Sequence, residues 1–150
     1  MKPVLIITGP IGAGKTTLAT ALAERYDALL LSSDALRSNR KHGFDRMARA
    51  VREALARGRH VVLDSTGMSF RFRHLLAGVR AQAMHVHLTV DPGHWEARER
   101  MRTDRRTLGR DVYQRSSRVV FDSPPDLALD TSQLQKAGVV SAVASAWEQS

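Results

Sequence analysis

This chain of 150 residues predicts a single α/β domain, residues 1–150, with a five-stranded parallel sheet and helices on both faces. Three observations carry that expectation. Short apolar runs alternate with segments of helical periodicity along the sequence. The first run, Val4–Ile7, is continuous and apolar, as a strand covered on both faces should be. No linker, internal repeat or low-complexity segment divides the chain, whose length suits one domain.

The elements follow in order. After the strand at Val4–Ile7, residues Leu18, Ala19, Leu22 and Ala23 recur at helical spacing within Thr16–Tyr26. Ala28–Leu31 reads as a second strand, and Phe44–Arg57 as a helix with Met47, Ala48, Val51 and Leu55 inward. Val61–Leu63 is a third strand, followed by a helix near Arg71–Ala81. Met84–Val90 is a fourth strand. Pro92 then opens a helix to about Met101, with Asp91 placed to cap it. Beyond an arginine-rich stretch and Ser123-Pro124-Pro125, Leu127–Leu129 forms a fifth strand, and Thr131 or Ser132 is expected to cap the last helix.

Composition excludes several classes. At 43% hydrophobic and 25% charged residues the chain is globular, and without cysteine it carries no disulfide scaffold and no cysteine-ligated metal. No apolar run approaches the roughly 20 residues that span a bilayer. The amino terminus turns polar too soon for a signal peptide, so a soluble, cytoplasmic protein with no membrane partner is expected. The formal net charge of +8 favours polyanionic partners. Only Lys2, Lys15, Lys41 and Lys136 are lysines, so an arginine-favouring composition explains part of that charge. Individual arginines must therefore be argued by position.

Gly9-Pro10-Ile11-Gly12-Ala13-Gly14-Lys15-Thr16 fits G-x-x-x-x-G-K-[ST] between a strand and a helix, the context a phosphate loop requires. Glycines let backbone N–H groups turn inward around phosphate oxygens, and the following helix points its positive end at them. Gly9, Gly12, Ala13, Gly14, Lys15, Thr16 and Thr17 are the expected nucleotide contacts. Lys15 would reach the β- and γ-phosphates of ATP and Thr16 would ligate Mg²⁺, with Asp64 at the end of the third strand as the second metal residue. Asp64-Ser65-Thr66-Gly67 fits the D-x-x-G of a GTPase, but no guanine-reading [NT]-K-x-D segment exists in the chain.

The acceptor side rests on Asp34 and Arg37. The first is a carboxylate after the second strand that could deprotonate a hydroxyl. The second, three residues on, could hold an anionic acceptor; a capping residue with a surface ion pair is the competing explanation. Arg98, Arg100, Arg102, Arg105, Arg106 and Arg110 suit a lid over the nucleotide, approximately residues 100–118, although Glu96 and Glu99 also allow a solvated basic face. His85 and His87 share one face of the fourth strand, and Trp95 and Trp147 read as packing residues.

With these segments assembled, the chain resembles the P-loop kinases that phosphorylate 5′-hydroxyl ends of nucleic acid. It looks most like the kinase module of bacterial RNA-repair polynucleotide kinase-phosphatases and, more distantly, phage polynucleotide kinase, and it resembles the zeta-toxin-like kinases in much of its scaffold. The likeness spans roughly residues 3–118 and rests on the phosphate loop, Ser32-Ser33-Asp34 with Arg37, Val61–Thr66, and Arg98 through Arg102-Thr103-Asp104-Arg105. The resemblance implies an ATP- and Mg²⁺-dependent phosphotransferase with an alcohol as acceptor. In it Asp34 is the general base, Arg37 contacts an acceptor phosphate, and Arg98 and Arg102 engage ATP phosphates or the transferring group. Arg105 and Asp45 join that set. Gluconate kinases and antibiotic phosphotransferases share the scaffold and the aspartate. A small-molecule acceptor (nucleoside, sugar, antibiotic or nucleotide-sugar) is therefore the alternative to a polynucleotide 5′ end. A nucleic-acid-binding ATPase that transfers nothing is the third reading.

Overall fold

The computed structural model describes residues 1–33, 40–102 and 109–150. The strands are β1 (Val4–Thr8), β2 (Leu29–Ser32), β3 (Val61–Ser65), β4 (Ala83–Thr89) and β5 (Leu127–Asp130). The helices are α1 (Lys15–Arg25), α2 (Arg40–Ala56), α3 (Phe70–Val79), α4 (Pro92–Arg100), α5 (Arg110–Ser117) and α6 (Lys136–Glu148). The strands form one sheet in the order β2-β3-β1-β4-β5, every neighbouring pair parallel. Two crossover directions from the central β1 cover both faces with helices, as such connections require.

Alternation along the strands divides the core. Leu5, Ile7, Val62, Val86 and Leu88 pack with Leu18 and Leu22 of α1 and Val143 and Trp147 of α6. Val4, Ile6, Val61, Leu63 and Ala83 pack on the other face with Met47 and Val51 of α2 and Phe72 and Leu76 of α3. Both tryptophans are buried, as their sequence positions suggest. Trp147 also donates its Nε1–H to Lys2 O.

Three local features differ from the sequence expectation. α2 begins four residues before Phe44, and Ala54 rather than Ala48 or Leu55 is its third fully buried position. The arginine-rich stretch contains a helix of its own, α5, whose polar sequence hid it; it buries only Tyr113 and Ser116. The last helix starts at Lys136 behind Gln135 with no side-chain cap, so neither Thr131 nor Ser132 caps it. Thr131 instead donates to Ala13 O at 3.0 Å, serving the phosphate loop. Asp91 does cap α4, its Oδ1 accepting from the His94 N–H at 2.9 Å with Pro92 in the first turn.

Candidate active site

The loop after β1 is shaped by its glycines and by what lies beneath them. Gly12 has φ +79°, and a Cβ there would stand 2.6 Å from Trp95 Cδ1. Only glycine combines that conformation with so close an approach. Trp95 is held in turn by stacking on Tyr113, ring centroids 4.8 Å apart, and Tyr113 donates its hydroxyl to Val90 O. Gly14 opens α1 in the left-handed region, leaving the first-turn N–H groups of the helix without a side-chain cap. Such an end suits an anion. Lys15 is buried and donates from Nζ to Pro10 O at 2.9 Å, which folds its ammonium over the loop.

Across the sheet end, Thr16 Oγ1 donates to Asp64 Oδ2 at 2.9 Å, and Ser32 Oγ reaches the same oxygen at 3.3 Å. Asp64 is 1% exposed. One carboxylate and two hydroxyls are hard oxygen donors, the set that Mg²⁺ accepts when phosphate oxygens and water complete its octahedron. Thr16 and Asp64 therefore fit the metal role expected of them, and Ser32 joins them. Among the described residues no cluster of three or more His, Cys, Asp or Glu side chains forms an all-protein metal cage.

On the α1 and α6 side of the loop lies a cavity of about 270 Å³, lined by Gly12, Thr17, Arg98, Thr131, Leu134 and Val140 among others. Its size and apolar wall suit a nucleoside base. Arg98 forms part of that wall. Its guanidinium donates to Gly12 O at 3.2 Å, to Thr131 Oγ1 at 3.1 Å, and to Thr131 O. Those donors hold the loop against the β5–α6 connection. Arg102 lies one turn further, 3.9 Å from Glu99 Oε2 and part-exposed. α5 reaches the loop independently, for Ser116 Oγ accepts the Ile11 N–H at 3.2 Å.

Asp34, Arg37 and Arg105 lie outside the described residues. Ser33, next to Asp34 in sequence, donates its N–H to Asp64 O at 2.9 Å. Asp45, in the second turn of α2, is exposed and lines a surface groove between α2 and α3 whose lining includes no phosphate-loop residue.

Several site residues escaped sequence reasoning. Thr131 and Ser116 give no signal, because each acts across more than 100 residues on backbone of the loop. The histidine pair was visible but its partner was not. Thr8 Oγ1 bonds His85 Nε2 at 2.7 Å and His87 Nδ1 at 2.9 Å. Burial, with help from His87 and Arg80, pushes the His85 pKa down to about 4. Burial and then the Lys15 charge also lower that of His87.

The comparisons extend these observations. The AAA domain family matches residues 4–122. No curated protein sequence matches the chain. Among solved structures, a sugar kinase from Janibacter sp. HTCC2649 has a TM-score of 0.78 at 13% identity, covering 99% of this chain and 95% of that one. A gluconokinase from Sinorhizobium meliloti 1021 gives 0.66 at 18% identity, with 99% and 98% covered. A shikimate kinase from Bacteroides thetaiotaomicron gives 0.64 at 19% identity, with 99% of each chain covered. The fold is that of the P-loop kinases, and the chain belongs to the AAA domain family.

Proposed function

We propose that the protein is an ATP-dependent kinase that phosphorylates a hydroxyl of a small molecule. The observation that carries this reading is the pairing of Thr16 with Asp64 at 2.9 Å beside a phosphate loop whose lysine is already folded over it. The structures it is similar to are a kinase of a sugar, a gluconokinase and a shikimate kinase, each matched over nearly its full length. That likeness supports a small acceptor over a nucleic acid.

In this reading the triphosphate lies along the loop, with the base in the cavity beside Arg98 and Lys15 holding the β- and γ-phosphates. When bound, Mg²⁺ held by Thr16 and Asp64 would neutralise phosphate charge. Asp34 takes the proton of the acceptor hydroxyl as its oxygen forms the bond to the γ-phosphorus and the bond to the β-phosphate oxygen breaks, releasing ADP. Arg102 balances the charge that spreads over the transferring group.

The polynucleotide reading draws on a specific feature, the Asp34–Arg37 spacing joined to Arg102-Thr103-Asp104-Arg105. One experiment separates the two. γ-Labelled ATP and Mg²⁺ are offered with D-glucose, D-glucitol, D-gluconate, shikimate and a 5′-hydroxyl oligonucleotide, using wild type and Asp34→Asn. Label on a small compound, lost in the variant, is the expected result. Label on the oligonucleotide alone would replace the small acceptor by a nucleic-acid end. ATP hydrolysis without transfer to any of them would refute the kinase reading.

A further inference from the structure

The sheet face that packs on α2 and α3 is apolar except at its carboxyl end, where Thr8, His85 and His87 lie together. Register places Thr8, the residue before the phosphate loop, directly beside His87. The base cavity lies across the sheet, among residues of α1 and α6. The histidine cluster therefore occupies the opposite flank of the phosphate loop, close enough to Lys15 to feel its charge. A hydroxyl compound approaching the terminal phosphate from the side away from the base would meet this flank.

His85 and His87 differ in what they have left to offer. His85 is fully buried, with Nε2 on Thr8, its backbone N–H on Asp126 Oδ2 at 2.8 Å, and Nδ1 enclosed without a hydrogen-bond partner among the described residues, where no ligand reaches it. His87 is partly exposed; Nδ1 is held by Thr8, and Nε2 has no hydrogen-bond partner among the described residues. Phe121 stands edge-on to both rings, with centroids 4.7 Å and 5.6 Å away. Phe121 is fixed by the β3–α3 turn, since a Cβ on Gly67 (φ +77°) would come within 2.8 Å of its ring. Thr8 and Phe121 thus hold the His87 imidazole so that its outer nitrogen, Nε2, remains for a partner that none of the described residues supplies. A neutral imidazole can give or accept a hydrogen bond at that atom.

Resting on the kinase reading above, we propose that His87 is an acceptor-binding residue, its Nε2 contacting an oxygen of the hydroxylated substrate, with Thr8 and His85 as positioning residues. A pair of histidines kept only for packing would leave acceptor affinity untouched when replaced.

The test uses the full chain and the labelled-ATP panel of D-glucose, D-glucitol, D-gluconate, shikimate and 5′-hydroxyl oligonucleotide. For whichever compound takes label, His87→Phe should raise the acceptor KM about tenfold, the loss expected for one hydrogen bond left unmade. KM for ATP and acceptor-independent ATP hydrolysis should stay within about twofold. His87→Gln, which carries an amide near the Nε2 position, should recover most of the affinity and guards against misfolding of the phenylalanine variant. In protein labelled with ¹⁵N-histidine, the accepted compound should move the His87 Nε2 resonance and leave those of His85 in place. An unchanged acceptor KM in both variants, or an unmoved Nε2 resonance, would overturn the proposal while the kinase reading stands. Absence of transfer to every compound would remove the kinase reading and this proposal with it.

Discussion

Acidification should destabilise the fold through His85, and the size of the effect follows from its burial. The ring is fully buried between β1, β4 and Phe121, and its pKa is lowered to about 4 from an ordinary 6.5. The folded state thus resists protonation, whereas the unfolded chain takes up the proton near pH 6.5. Between those values the unfolded state binds more protons, so stability rises with pH. The contribution is fully present above about pH 6.5 and is lost progressively down to about pH 4. A shift of that width corresponds to a loss on the order of 3 kcal/mol, at about 1.4 kcal/mol per pH unit. Such a loss is a large share of a typical domain's stability. The assay is urea unfolding at half-unit steps from pH 7.5 to 4, on wild type and on His85→Gln, which cannot titrate there. Wild type should lose on the order of 3 kcal/mol more than the variant across this range. Because His87 is shifted in the same direction, contributes to the His85 shift and shares Thr8 with it, the pair of curves is repeated with His87→Gln in both proteins, where the same difference is expected. Parallel curves, or an NMR titration placing His85 near 6.5, would refute the reasoning.

Other outcomes are expected at the loop. Thr16→Val and Asp64→Asn should each cut phosphoryl transfer by about 10²-fold or more, with a raised Mg²⁺ requirement, measured as the Mg²⁺ dependence of labelled transfer. A transfer rate within twofold of wild type would remove these residues from the metal site. Gly12→Ala should lower stability by about 2–4 kcal/mol, combining left-handed backbone strain with displacement of Trp95. Thermal unfolding monitored by Trp fluorescence reads both effects, and an unchanged Tm with an unshifted emission maximum would contradict the packing described.

Much of the fold was legible because its signals are local. Continuous apolar runs such as Val61–Leu63 mark strands buried on both faces, and Asp91-Pro92 marks a helix start by chemistry confined to a few residues. The phosphate loop is legible for the same reason: glycines, lysine and threonine stand in one stretch of eight residues. α5 was missed because a short helix that buries two side chains has almost no apolar stripe to read. Thr131 was misread as a cap because its hydroxyl could serve either use, and only the tertiary arrangement brings Ala13 O within its reach. The partnership of Thr8 with the two histidines depends on strand register, β1 against β4, which no local pattern specifies.

The phosphate loop is guyed from two directions: Arg98 and Thr131 hold the carbonyls of Gly12 and Ala13, and Ser116 holds the Ile11 amide. Fixing the backbone of one residue costs about 1–2 kcal/mol in lost conformational freedom. Here that loss is met when the chain folds rather than when the nucleotide arrives. Triphosphate binding should therefore show little ordering entropy, and its affinity should report the phosphate contacts themselves.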